Sequence, residues 1–331
     1  MTKFALLLTA AAASACTAST AAPGKGEDNG PLGTVRWSVD ALEQRADGKV
    51  QVSFSTGSRG GRSHSQWSNG YDLAELQGLS RAQLGGPTQP VRFAVVREAG
   101  RLDCSGNAGN GQGVGTCGFA ADSGFAARLA AAGIGRPSER QAYSLTLAKV
   151  RYDLVEELDR QGYAKPDVNE LVAMGIHGAT TDYVREIAAA GYRLGKPDGL
   201  VQFRIFGING AFIRDMAAIG PQFKGLSAHD LVQFKIFGVK PELVRAYAGM
   251  GYSSINAKDL VTMQIHGVSP EFVTQLGELG YRNIPVEKLV NLRIHGVTPD
   301  FIRELKAEGV APPSPDQLVR LRLAGYRPGK R

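Results

Sequence analysis

One phrase, written several times over, limits what this chain can fold into more than anything else in it. Its clearest copy runs from Leu289 to Gly309: Leu-Val-Asn-Leu-Arg-Ile-His-Gly-Val-Thr-Pro-Asp-Phe-Ile-Arg-Glu-Leu-Lys-Ala-Glu-Gly. The glycine closing its first half recurs at Gly178, Gly207, Gly238, Gly267, Gly296 and Gly325. The glycine closing its second half recurs at Gly162, Gly191, Gly220, Gly251, Gly280 and Gly309. Successive copies lie 29 residues apart, except that a two-residue insertion lengthens the steps Gly207–Gly238 and Gly220–Gly251. Two markers that keep one spacing through successive units identify a repeat array.

Each unit carries two helix signatures. The second opens with Thr298-Pro299-Asp300 or Ser269-Pro270-Glu271. The hydroxyl can cap free N–H groups, proline suits the first helical position, and the acid suits the positive helix end. Phe301, Ile302 and Leu305 then mark an apolar face, and Gly309 ends the helix in the left-handed conformation glycine adopts cheaply. The first helix runs through Leu-Val-x-(Met/Phe/Leu)-x-Ile to its own glycine. Helices of about ten residues are marginal alone, so stability must come from stacking unit on unit.

The rest of the chain divides around this array. Lys3 and the apolar run Phe4 to Ala13 have the form of an export signal over residues 1–15, and the run is too short to span a bilayer. Residues 16–33 are small, polar and glycine-containing, as a flexible tether is. Residues 34–121 have alternating strands such as Val35–Val39 and Val50–Phe54, and are expected to form an antiparallel sheet of roughly five strands. Ser55 to Ser65, with His64, reads as a loop, and a helical turn is expected near Ser80. Residues 122–331 are the repeat region. It opens with a half-unit capped by Asp122-Ser123, then a worn copy whose first half runs from Ser144 to Lys149. The expected fold class is α+β: a small antiparallel β domain followed by an α-solenoid of 29-residue helical hairpins.

Cysteine placement fits an oxidising compartment. Asn110-Gly111 is a strong hairpin turn signal, and a two-residue turn there sets Cys104 opposite Cys117. Counting outward, the pair falls at a non-hydrogen-bonded position where strands lie closest, so a disulfide is expected. Two free thiols in a strand pair is the other reading.

Two resemblances add to this. Ala13-Ser14-Ala15-Cys16 resembles the lipobox of bacterial lipoproteins, although Ala13 stands where leucine is usual. It implies lipidation of Cys16 and, with Thr17 next, an outer-membrane lipoprotein on the periplasmic side; ordinary secretion is the alternative. The repeat phrase, and the hairpin Gly113-Val-Gly-Thr-Cys-Gly-Phe119 leading into a helix, resemble the C-terminal extracytoplasmic regions of bacterial membrane metallopeptidases of the β-lactam-sensor/antirepressor type. That resemblance spans residues from about 34 to 331 and implies an envelope location and a sensing or binding role. The family's His-Glu-x-x-His is missing, so peptidase activity is not carried over.

Chemistry-bearing residues are sparse. His177, His266 and His295 share one repeat position, but Phe206 and Phe237 fill it in two units. Stacked helices lie roughly 10 Å apart, too far for two of these histidines to share a metal ion. They read as helix-terminal, partly buried side chains. Gly113-x-Gly115-x-x-Gly118 sits inside a hairpin arm rather than between strand and helix, so it does not read as a dinucleotide motif. The acids Glu157, Glu186, Asp215 and Glu304 and the bases Arg185, Arg214, Arg245 and Arg303 read as solvated outer faces. Tyr163, Tyr192, Tyr252 and Tyr281 follow the second-helix glycine. They read first as cap-closing contacts and second as a partner-binding row. The net charge is +7, with no basic run interleaved with aromatics of the kind nucleic-acid binders carry.

The expected function is that of a non-enzymatic exported envelope protein. It has no cofactor or metal, is held to the membrane by a lipid, and binds or scaffolds other envelope proteins through its solenoid. The alternative is a sensory or regulatory accessory that binds a cell-wall-derived ligand.

Overall fold

The computed structural model describes residues 32–40, 48–57 and 64–329. The expected signal peptide, Cys16 and all but the last two residues of the tether lie outside the described residues. Leu32, read as tether, is buried, and its N–H donates to Glu139 Oε2 at 3.0 Å.

Among the described residues, six strands form one antiparallel sheet: β1 (Val35–Asp40), β2 (Val50–Gly57), β3 (His64–Tyr71), β4 (Gln89–Arg97), β5 (Gly100–Gly109) and β6 (Gln112–Ala121). Their order is β3-β2-β1-β6-β5-β4. Two three-stranded meanders meet where β1 pairs with β6, with Val35 opposite Cys117. The expectation of roughly five strands misses β3, which takes in the end of the stretch read as a loop. β3 is an edge strand and most of its side chains are open to water, so it lacks the apolar alternation that marks a strand. Where it does pack, Trp67 lies opposite Phe54.

Alternation buries one face of the sheet. Trp37, Val52, Phe54, Phe93, Val95 and Leu102 are each at most 4% exposed. The other face is polar; Ser53 and Ser68 hydroxyls meet at 2.8 Å. The turn between β5 and β6 has Asn110 at φ 53° and Gly111 at φ 83°, the left-handed pair a tight hairpin requires. It sets Cys104 opposite Cys117 with Cα atoms 4.0 Å apart and sulfurs at bonding distance, 2.00 Å.

A track of glycines lies beneath Trp37. Its ring rests against Gly113 and Gly115 of β6 and Gly106 of β5, and its indole N–H donates to Ser105 O at 3.1 Å. Those glycines therefore serve a close approach of ring to backbone, an arrangement that protects glycine in strands.

Fourteen helices follow the sheet among the described residues, after the short α1 (Arg81–Gly85) that Ser80 caps. The second helices of the hairpins are α2 (Ser123–Ala131), α4 (Tyr152–Arg160), α6 (Thr181–Ala189), α8 (Gly210–Ala217), α10 (Pro241–Gly249), α12 (Pro270–Glu278) and α14 (Pro299–Ala307). The first helices are α3 (Glu139–Leu147), α5 (Val168–His177), α7 (Pro197–Ile205), α9 (Ala228–Ile236), α11 (Ala257–Ile265), α13 (Val286–Ile294) and α15 (Pro315–Leu323). Helices of one class stack on the next of the same class, as α5 does on α7 and α12 on α14. At the insertion, Pro221–Phe223 forms a tight turn against α8 and buries Phe223. Equivalent leucines form the spine: Leu171, Leu200, Leu231, Leu260, Leu289 and Leu318 are each at most 1% exposed. Burial of each contributes about 1.5–3 kcal/mol, which short helices need from their neighbours.

The worn first unit differs from its reading. Its first helix, α3, begins at Glu139 rather than near Ser144, because Ser138 and Gln141 close a capping box. α3 also belongs to two cores. Tyr143 and Leu147 pack into the sheet, while Leu145 and Ala148 pack into the array. Lys149, in a left-handed conformation at φ 57°, reaches from its end to Glu75 Oε1 (2.7 Å) and lies 5.0 Å from the Tyr71 ring centroid. Burial pushes the Glu75 carboxyl up, but the hydrogen bond and charge of Lys149, with Arg97 behind, leave it below the usual range.

Tyr71 and Tyr143 are buried, and neither hydroxyl has a hydrogen-bond partner among the described residues. Tyr143→Phe is therefore expected to be stabilising, by about 1 kcal/mol, since it removes a desolvated polar group without breaking a bond. Urea denaturation checks this; a loss of stability would mean the hydroxyl is satisfied.

Candidate docking face of the helical array

The final residue of each first helix in the array from α7 onward, and the penultimate residue of α5, points away from the spine. These are Ile176, Ile205, Ile236, Ile265, Ile294 and Leu323, exposed by 51, 41, 48, 52, 55 and 67%. They account for six of the nine large exposed apolar side chains among the described residues. A single exposed leucine is ordinary. One aliphatic side chain per unit, at one position in six units, makes a periodic row of exposed apolar groups and a candidate interaction surface.

The row has two borders. On one side stand the residues that follow it: His177, Phe206, Phe237, His266 and His295, rings at the helix ends. The histidines thus sit at helix C-termini as read; His177 and His295 are partly buried, but His266 is exposed. Among the described residues no cluster of three His, Cys, Asp or Glu side chains gathers in metal-binding geometry.

On the other side stand cations. Arg204 lies over Tyr183 at 4.9 Å, Lys235 over Phe212 at 4.1 Å, Arg293 over Phe272 at 5.0 Å and Arg322 over Phe301 at 5.0 Å. In each pair the cation belongs to a first helix and the ring to the second helix of the preceding unit. Arg204 also donates through Nε to His177 O at 3.1 Å, closing the end of α5, the first helix it stacks on. Three boundaries lack the pair: at α2–α3 Phe125 keeps the ring position while Thr146 takes the cation's, and the other two lack both halves. Leu243 stands at the ring position where Gln264 replaces the cation, and Leu154 where Gly175 does. Gly175 instead lets α5 close on Ala148 and Val150. Paired replacement at two of these three boundaries fits a ring and a cation that act together where both are present. Phe272→Leu and Arg293→Gln are expected to be non-additive, with a coupling of about 0.5–1 kcal/mol. A double-mutant cycle by urea denaturation measures it, and additivity would refute it.

The tyrosine row has internal duties. Each tyrosine closes the cap of its helix: Tyr163 N–H donates to Leu158 O at 2.9 Å and Tyr281 N–H to Leu276 O at 2.9 Å. Their hydroxyls then tie one unit to the next. Tyr192 donates to Leu226 O (2.7 Å), Tyr252 to Ile284 O (2.8 Å) and Tyr281 to Pro313 O (2.8 Å), while Tyr163 accepts from Leu194 N–H (3.4 Å). Tyr183 and Tyr247 donate likewise to Ile208 O and Val268 O. Burial pushes all six phenols above their ordinary range, Tyr247 to about 12.

Two outer-face readings need correction. Glu157 is not solvated: its side chain is 1% exposed, covered by Arg160 and Arg185. Gln161 Nε2 at 2.8 Å and Arg185 Nε at 2.9 Å donate to it, and hydrogen bonds from Gln161 first, then Arg185, hold its carboxyl below the usual range. Glu186 is half-buried and accepts from Gly210 N–H at 2.8 Å, at the start of α8.

A cleft of about 290 Å³ opens at the sheet end of the array, between α2 and α4, lined by Ile134, Tyr152, Glu156, Asp159, Tyr163 and Lys165 among others. No helix among the described residues is long and apolar enough to cross a membrane. The chain matches no protein-family model and shows no significant match to a curated protein.

Proposed function

We propose that this is a non-enzymatic, exported envelope protein that binds another protein through the row from Ile176 to Leu323, with a lipid on Cys16 as its membrane anchor. The observation that carries the binding reading is the recurrence of one exposed aliphatic side chain in six successive units. An array must bury Leu200 or Phe203 to exist; it has no folding use for Ile205 in water. The role agrees with the sensing or binding function implied by the resemblance to the peptidases' extracytoplasmic regions.

The test is site-specific photo-crosslinking in cells, with the reactive residue at Ile265 or, as a control, at exposed Thr274 on the second-helix row. A discrete protein adduct from position 265 and none from 274 is expected. Equal labelling at both, or none at 265, overturns the reading. For the anchor, Cys16→Ser is expected to abolish labelling by a clickable fatty acid; unchanged labelling would sink it.

The cleft beside α4 favours one second reading, a sensor of a cell-wall-derived ligand, because it brings carboxylates, an amine and two aromatic residues to one concave site. A saturable rise in melting temperature with muramyl dipeptide, lost in Glu156→Ala, would move that reading ahead.

A further inference from the structure

We propose that the segment docked on this row is an extended, acidic polypeptide with an apolar side chain at every third residue, lying across the first helices. The inference rests on the docking-face reading above and adds the chemistry of the occupant.

Charge comes first. Arg204, Lys235, Arg293 and Arg322 precede the row's aliphatic residues, and none has a carboxylate within ion-pair distance among the described residues. The acids of these helices, Asp198, Asp230, Glu287 and Asp316, stand in the first turn, at the far end. That is five or six residues before the cation, about one and a half turns or roughly 8–9 Å of rise. The border of the row is therefore one-signed, in a chain of net charge +7, and such a border selects an anionic partner.

Hydrogen bonding comes second. One turn before the aliphatic residue, on the same side of the helix, stand Gln202, Gln233 and Asn291. Their side chains have no partner among the described residues. A side-chain amide offers a donor and an acceptor together, as a peptide bond does, so a row of amides suits an exposed backbone.

Spacing comes third. Stacked helices repeat at roughly 8–10 Å. A polyproline II strand rises about 3.1 Å per residue with three residues per turn, so one of its faces repeats at about 9 Å. Side chains at every third residue then meet successive isoleucines in register, with a position between them for an acid facing each cation.

Two other occupants fit less well. A bilayer prefers a broad apolar face, and this row is narrow, with cations and amides on one flank and on the other three histidines and two half-buried phenylalanines, Phe206 and Phe237. A second copy would set cations against cations.

The experiment uses the full chain and three labelled peptides in fluorescence anisotropy. One repeats Val-Pro-Glu, one repeats Val-Pro-Lys, and one has the composition of the first with its three-residue period broken. The Glu peptide is expected to bind about tenfold tighter than either other. Binding is expected to fall at least as far in Ile236→Ser/Ile265→Ser/Ile294→Ser, whose melting temperature should drop by only a few degrees because these side chains are about half exposed and lie off the spine. Equal binding of the three peptides, or binding that survives the triple substitution, overturns the proposal. So does saturable binding of the wild type to anionic phosphatidylglycerol vesicles, or its self-association in sedimentation, if the triple substitution abolishes either. If the crosslink at position 265 forms but no peptide binds, the docking face stands and the acidic-segment proposal falls. If neither is seen, both fall.

Discussion

Gly115→Ala is expected to destabilise the β domain by about 3 kcal/mol or more, the upper range for overpacking a core. A Cβ there would lie 2.1 Å from Ser105 O, 2.6 Å from Trp37 Nε1 and 2.8 Å from the Gly106 Cα. Two of these neighbours are backbone of the adjacent strand, and the third is a ring held by its own hydrogen bond. None can yield alone. The strand would have to part from β5, beside the Cys104–Cys117 link. Gly118→Ala is the control: it is three residues along the same strand, and a Cβ there meets nothing within 4 Å. Denaturant titration followed by tryptophan fluorescence distinguishes the two. Equal stabilities would mean that the ring does not press on the glycine track.

Alkali is the second large effect. Burial pushes the phenols of Tyr71 and Tyr247 from an ordinary 10.0 to about 12. The folded form thus keeps protons that the unfolded form releases. Below pH 10 the full stability is present; between about pH 10 and 12 the unfolded state gains as it ionises, and stability falls with rising pH. A tenfold difference in proton affinity is worth about 1.4 kcal/mol, and each phenol holds its proton roughly a hundredfold more tightly when folded. The two residues together therefore remove roughly 5 kcal/mol by pH 12. That is a large part of the roughly 5–15 kcal/mol typical of a folded protein. Tyr143 and Tyr183, also raised, act in the same direction. Tyrosinate absorbance and loss of helical circular dichroism should therefore rise together in one steep transition above about pH 11. Tyr71→Phe, which removes one of the titrating groups, should move it upward. Tyrosine ionisation near the ordinary phenol range with helices intact would refute this coupling.

The array is legible in the sequence because glycine punctuates it. A left-handed residue ends every helix of the array except α8, where Gly220 is extended at φ 179°; few amino acids supply that conformation, so Gly207 or Gly296 announces the helix end without its surroundings. The Asn110-Gly111 hairpin is legible for the same reason, and it carries the cysteine register with it. β3 is not, because an edge strand in water needs no apolar alternation. The burial of Glu157 escapes a reading by local spacing because its covering groups come partly from another unit: Arg185 is 28 residues on.

The aliphatic row has a signal in the sequence too. At about 100° per residue, Leu200 and Phe203 fall within one arc, while Ile205 falls nearly opposite its centre. An isoleucine repeated on the wet side of a helix is informative in its own right. It is easily absorbed into the apolar tally of the phrase that contains it.

The double membership of α3 gives the molecule a direction. The sheet seals one end of the stack, so no unit can be added there without rebuilding the β domain. At the other end α15 is the last helix among the described residues, and its Leu323 is 67% exposed. Lengthening at that end, in steps of 29 residues, would add one more aliphatic rung each time and leave everything before it unchanged. Under the docking proposal, such an array would be a measuring rod with a fixed zero, and each hairpin would add a rung to the segment it reads.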